Sequence, residues 1–513
     1  MCSAPRAVDV QGTRRWIMLA VAAAVPILLA GVLFFLGVKA TRISLWSLAA
    51  GIVMALIFFP TPWLVVGSSL AAFAPTIIEI LLILYAGVLL SRIMSNTGAM
   101  ASISGWLRSS APSRRTGTLL VVFGIVPFAE SVTGFGIGVT VGVPILRLIG
   151  HSVPRSTIFS LLGLLAVPWG ALGPGTLLAS ELSGTSLVEV GIRSAVLSLP
   201  VMLGVALLVT FLLRHDGSVG RLFGGAVASS LLLWSGILGA NILLGTPLAG
   251  VMGSLVPTAA HLLVYRWRGS LIAAGWVVAR ASLPYAVMAA GLLATRAVTS
   301  NGEPQLSLRA ISSPATWLVV ACLVAHFGPG QRWASDQPEA RLGHRAVSAW
   351  RTWLPVGVVT FCFTVLGSVL AATGMGAELG TALAAMGGSY LAIAPAVNAL
   401  AGFITGSNTA ANAMLTATQT QVATELGSSV LQMVAATNVT ASMATMAAPS
   451  RLLLAYELAV ATPVGIPGGE GLGESSADPQ ASESAVNRWV LPRIFALLAI
   501  VSAILGLVTW LLF

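Results

Sequence analysis

Charge is what this chain has least of. Only 8% of its 513 residues are Asp, Glu, Lys or Arg, where a soluble domain carries about 25%. So few charges cannot clothe a water-facing surface, and the chain reads as a polytopic membrane protein. Cysteine is nearly absent: Cys2, Cys322 and Cys362 are odd in number and lack ligand spacing, which excludes a disulfide framework and a metal site. The five histidines, His151, His215, His261, His326 and His344, form no HxxxH or HExxH pattern. No nucleophile–base pair or phosphate-cradling loop occurs, so neither an enzyme nor a cofactor is expected. The net charge of +10 lacks the aromatic-interleaved basic surface of a nucleic-acid binder. Its arginines fall in short clusters between apolar spans, as at Arg114-Arg115 and from Arg341 to Arg351, which fits positive-inside topology.

What fills the chain is hydrocarbon. Hydrophobic residues make up 57% of it, and a bilayer core needs about 20 of them per helix. Qualifying runs recur from 16–38 to 490–513, among them 314–327, 377–396, 399–426 and 430–461. The first is too long for a signal-peptide core and reads as a retained transmembrane helix. The fold expected is all-α, with about 12–15 transmembrane helices in two inverted-repeat halves containing broken or re-entrant helices. Residues 1–327 form the first half and 352–465 the second, joined by a cytoplasmic linker at 328–351. A Gly-, Ser-, Glu- and Pro-rich stretch, 466–487, reads as a disordered linker before a terminal helix at 488–513. Residues 92–115 fit an amphipathic surface helix or a plain loop. Lys39, Arg42, Arg92, Arg108, Arg114 and Arg115 share one side, against Arg6, Arg14 and Arg15 on the other, which puts the N-terminus outside.

Two stretches interrupt the hydrocarbon, 128–144 and 402–412, both rich in Gly, Ser and Thr. Broken helix in a membrane is tolerated only where protein buries it or it lines a wet cavity. Paired interruptions in corresponding halves point to a transporter's binding site. A repeat is supported by spacing: Phe128 and Phe403 are 275 apart (403 − 128), as are Pro174 and Pro449 (449 − 174). Helix ends exposed by such breaks carry unpaired N–H groups and suit a carboxylate. Candidate contacts for a small carboxylate anion are Ser131, Thr133, Gly134 and Gly136 in the first half. Thr405, Ser407, Asn408, Thr409, Asn412, Asn438, Thr440 and Arg451 are their counterparts in the second. For the glycines, close helix packing is the competing reading.

Glu130 stands in lipid, where a charge is a functional hypothesis by default. Desolvation disfavours the charged carboxyl, so it could take up a proton with the substrate. The alternative is a structural glutamate paired with an arginine such as Arg147. Arg451 could clasp a carboxylate through its fork or snorkel to the cytoplasmic surface. Glu79 is also intramembrane but lacks a broken-helix context.

The motifs resemble those of the L-lactate permease family. Glu130-Ser-Val-Thr-Gly-Phe-Gly136 resembles its Glu-Gly-Ala-Ala-Gly-Phe-Gly signature. Ile404-Thr-Gly-Ser-Asn-Thr-Ala-Ala-Asn-Ala413 is similar to Leu-Thr-Gly-Ser-Asp-Thr-Ser-Ser-Asn-Ala. Trp169-Gly-Ala-Leu-Gly173 and Val434-Ala-Ala-Thr-Asn-Val-Thr440 match further family stretches in order. The resemblance implies a bacterial inner-membrane permease moving lactate or glycolate with a proton. It implies one half-site at Glu130, Gly134, Phe135 and Gly136, and another at Thr405, Gly406, Ser407, Thr409 and Asn412. Departures are Asn408 for the family's aspartate, Gly163-Leu-Leu-Ala166 for a polar stretch, and the charges of Arg451 and Glu79. They leave open a different short-chain carboxylate, exchange of another organic anion such as a sulfonate, or anion binding without transport.

Overall fold

The computed structural model describes residues 10–134, 136, 138–216, 218–299, 311, 313–328, 341–462 and 482–512. Among them every regular element is a helix, since only intrahelical bonding satisfies the backbone where no water reaches. Eleven helices among the described residues are long and apolar enough to cross a membrane, or twelve if the bent pair Val153–Gly170 and Pro174–Ser183, meeting at 44°, is one span. Their outer faces are apolar: Phe35, Leu56 and Leu243 are exposed to 72%, 76% and 75%, a coat that suits lipid and not water.

This count meets only the lower edge of the expected range, for a physical reason. Composition measures apolar length but does not say where the chain turns. The run at 314–327 is a short helix, Pro314–Phe327, and the run at 430–461 is two, Val430–Ala444 and Pro449–Ala461. Runs 377–396 and 399–426 are divided differently, into Met375–Ala384, Gly388–Thr405 and Asn408–Glu425. The turns fall at Gly387 and Gly406, with φ of +65° and +62°, a region glycine enters without strain. Residues 92–115 do hold a surface helix, Ala99–Ser110. The central linker gives way to helix at Leu342 and the terminal one at Glu483, both earlier than expected. Ser407 and Ser482 each cap the helix they precede by accepting from a first-turn N–H, the usual remedy for unpaired donors there. The rest of those linkers, 329–340 and 466–481, lies outside the described residues.

Span Arg114–Thr133 is the innermost, with 89% of its apolar window buried against 22% for Arg15–Phe35. Midway it widens into a π turn, Val121–Ile125. Pro127 explains the widening: its ring clashes with the carbonyl four residues back and it offers no N–H.

One series of elements occurs twice: helix, break, helix, helix, 3₁₀ turn, and a helix opened by proline. In the first half these are Val126–Thr133, Gly138–Leu148, Val153–Leu162, Leu164–Leu172 and Pro174–Ser183. In the second they are Gly388–Thr405, Asn408–Glu425, Val430–Ala444, Thr445–Ala447 and Pro449–Ala461. The halves interlock. Helix Pro174–Ser183 packs on Asn408–Glu425, while Pro449–Ala461 packs on Gly138–Leu148 and Val153–Leu162. Each break therefore faces the proline-opened helix of the opposite half.

Candidate functional site

The first break is built by glycine. Helix Val126–Thr133 makes its last bond from Gly134 N–H to the Glu130 carbonyl at 2.8 Å, and the chain then passes Gly134 and Gly136 at φ +68° and +76°. Side-chain Cβ atoms disfavour that region. The turn brings two backbone N–H groups onto the Glu130 carboxylate: Gly136 donates to Oε1 at 3.0 Å and Gly138 to Oε2 at 3.2 Å. Glu130, only 1% exposed, thus occupies the anion site at the start of helix Gly138–Leu148. A Cβ at Gly138 would lie 2.8 Å from the Val126 carbonyl oxygen, so the approach requires glycine.

The arginine facing Glu130 is Arg451, not Arg147. Its Nη1 lies 3.8 Å from Glu130 Oε1, an ion pair too long for a hydrogen bond. Arg147 instead donates to the carbonyls of Thr462 at 3.0 Å and His151 at 2.8 Å. Arg451 does not snorkel, being buried in the first turn of Pro449–Ala461. A helix N-terminus repels a cation, so what holds it there must come from its surroundings. Glu130 supplies the countercharge, and Gly136 leaves room for the arginine stem, whose Cδ lies 3.2 Å from where a Cβ would stand. Arg451 Nη1 is buried with no hydrogen-bond acceptor.

Between the halves this pair borders a cavity of about 20 Å³, room for about one water. Glu130, Gly134, Ser407, Asn408, Thr409 and Arg451 line it from the expected set. Val167, Gly170, Pro174 and Gly175 complete the wall. These four offer no polar side chain, and the signals of the last three in the sequence are the Gly–Pro density of 168–175 and, for Gly170, the Trp169–Gly173 motif. Asn408 and Thr409 open helix Asn408–Glu425, where first-turn N–H groups lack intrahelical partners. The second half thus presents donors to the cavity, while the first half's helix end is already taken by Glu130.

The other candidates point elsewhere. The hydroxyls of Ser131, Thr133 and Thr440 bond carbonyls of their own helices, at 2.7, 2.5 and 3.1 Å. Thr405 bonds the carbonyls of Ala401 and Ser407 at 2.8 and 3.0 Å and shapes the second break. Gly406 turns that break, and Gly136 accommodates Arg451. Phe135 lies outside the described residues. Asn412 and Asn438 form a buried lock with Asn408. Asn438 Oδ1 accepts from Asn408 Nδ2 at 2.9 Å and from Asn412 Nδ2 at 2.8 Å. Asn438 Nδ2 reaches Thr176 at 3.1 Å and Ser194 at 3.0 Å, in the other half. Glu79 acts away from this site, where Ser313 donates to it at 2.6 Å while capping the Ala315 N–H of helix Pro314–Phe327.

The L-lactate permease family profile matches residues 19–272 and 271–472. An L-lactate permease of Streptococcus iniae is 22% identical over 380 residues, covering 68% of this chain and 78% of that protein. An L-lactate permease of Escherichia coli (strain K12) is 26% identical over 481 residues, covering 80% of this chain and 84% of that protein. Among solved structures, the YdaH transporter of Alcanivorax borkumensis aligns with a TM-score of 0.41 at 16% identity, over 83% of this chain and 84% of that one.

Proposed function

From the premise that this chain belongs to the L-lactate permease family, we propose that it carries a small 2-hydroxy monocarboxylate of the lactate or glycolate kind, together with a proton, across the bacterial inner membrane. The observation that carries this reading is the buried Glu130–Arg451 pair at 3.8 Å, on the border between the halves. The incoming carboxylate takes the Arg451 fork, helped by the first-turn N–H groups of Asn408 and Thr409 that Ser407 leaves uncapped. Glu130 then loses its countercharge and accepts a proton.

Charge balance supports the coupling. The empty site holds one cation and one anion. The loaded site holds Arg451, the substrate anion and a protonated Glu130, and is again neutral. An anion entering without its proton would leave an unpaired buried charge, which costs several kcal/mol. Because the present cavity is so small, loading requires the two halves to part. Asn408, whose amide is engaged by Asn438 and Asn412, cannot itself carry a proton, which leaves that role to Glu130.

The test is uptake of labelled L-lactate and glycolate into proteoliposomes under an imposed inward proton gradient. The gradient is expected to drive accumulation in the native protein. Glu130→Gln is expected to abolish that drive while retaining exchange of internal for external substrate. Gradient-driven accumulation undiminished in Glu130→Gln would remove the glutamate from the coupling. Failure of every short carboxylate to compete would move the substrate to another anion class.

A further inference from the structure

A second cavity lies away from the candidate site and is much larger, about 280 Å³. It forms where several helix ends meet: the close of Trp63–Asn96, the opening turn of Ala99–Ser110, the start of Trp276–Thr299 and the end of Pro314–Phe327. Its walls are apolar at Met94, Val277, Leu283 and Val324, with hydroxyls at Thr97 and Ser102. One cation lines it, Arg280. That guanidinium lies 4.6 Å above the Trp276 ring, and its Nε is buried with no hydrogen-bond partner.

Two features fix the level of this cavity in the bilayer, its exposed tryptophans and its neighbouring arginines. Trp276 and Trp267 are 65% and 82% exposed, as tryptophans are where hydrocarbon meets headgroups. Thr97 and Ser102 hydroxyls bond the carbonyls of Met94 and Gly98 at 3.3 and 3.0 Å, leaving their lone pairs but no protons to offer. Arg92 lies at the same end and donates to Thr352 at 2.8 Å; Arg345 lies there too, beside His326 at 3.2 Å. A basic end is the cytoplasmic end under the positive-inside rule, and that leaflet carries the anionic lipids.

We propose that this cavity holds the headgroup of an anionic phospholipid, its phosphodiester paired with Arg280 and its acyl chains lying along the apolar wall. A phosphodiester matches a guanidinium fork with a free N–H, and Trp276 braces the cation from its other face. The site is independent of the substrate pocket and of its assignment.

The experiment measures lipid binding to the full-length protein in detergent by native mass spectrometry, alongside its melting temperature. The probes are phosphatidylglycerol, phosphatidylcholine and inorganic phosphate. Phosphatidylglycerol is expected to be retained and to raise the melting temperature, with phosphatidylcholine and phosphate ineffective. Arg280→Ala should weaken phosphatidylglycerol binding about ten-fold, the loss of one charge-assisted contact, and Arg280→Lys, which keeps the charge but loses the fork, should restore only part of it. Ser102→Phe, which fills the cavity and keeps the arginine, should weaken it likewise. Unchanged retention in both Arg280→Ala and Ser102→Phe would overturn the proposal. An Arg280-dependent rise produced equally by inorganic phosphate would overturn the lipid as its source.

Discussion

Arg451 and Glu130 depend on each other because neither has another full countercharge within reach among the described residues. Removing one partner of a buried pair is more damaging than removing both, since it strands a charge. Arg451→Gln is therefore expected to lower unfolding stability in detergent by about 3–5 kcal/mol. The double variant Glu130→Gln/Arg451→Gln should recover much of that loss, a coupling read from a double-mutant cycle. Additive losses would mean the two side chains do not sense each other. His151, in the connection between Leu148 and Val153, gives a second expectation at this scale. Its Nε2 meets Thr118 Oγ1 at 2.7 Å. Because Thr118 already donates its proton to the Arg114 carbonyl at 2.8 Å, the imidazole donates here and its Nδ1 is left buried without a partner. Burial, with Arg114 and Arg155 nearby, pushes this histidine down to about 3. Below its ordinary value of about 6.5 the unfolded chain binds a proton that the folded one refuses, so stability declines as the pH drops between the two values. Melting temperature followed from about pH 7 down to pH 4 should decline less steeply in His151→Gln than in the native protein.

Among the elements, the broken helices are the unit of design. Each break ends a helix inside the molecule, and each freed end finds a different partner. The first is capped by Glu130 from its own chain segment; the second is capped in part by Ser407 and turns its remaining first-turn donors to the cavity. The asparagine lock then ties Asn408–Glu425 and Val430–Ala444 to Thr176 and Ser194 of the first half. Asn438→Ala would strand several buried donors and acceptors at once and is expected to cost about 1–3 kcal/mol, with slowed uptake from a misplaced Asn408. A variant with native stability and native uptake would show that this lock is dispensable.

The breaks were legible in the sequence because Gly, Ser, Thr and Asn stand out against hydrocarbon, and Glu130 was legible because charge in lipid is rare. The rotation of each helix was not. Thr405, Thr440, Ser131 and Thr133 look like ligands in the sequence, yet their hydroxyls turn back onto carbonyls three or four residues earlier or shape a turn. Nor could spacing reveal that the partner of Glu130 is Arg451, because the contact is made by interlocking of two halves far apart in the chain. The cavity wall at Gly170 and Gly175 was hidden for the opposite reason: its contribution is the absence of side chains.

At the scale of the whole molecule, two similar halves cross over so that each break meets the other half's proline-opened helix. A site held jointly in this way can open only if the halves shift, and a neutral cargo is what such a shift can carry through lipid at least expense. The most direct measurement is whether transport moves net charge. Uptake into proteoliposomes should be driven by a pH gradient at zero membrane potential and indifferent to a potential of about 100 mV at zero gradient, which would act on one net charge with about 2.3 kcal/mol, roughly fifty-fold in accumulation. Uptake that follows the potential and ignores the pH gradient would contradict the account.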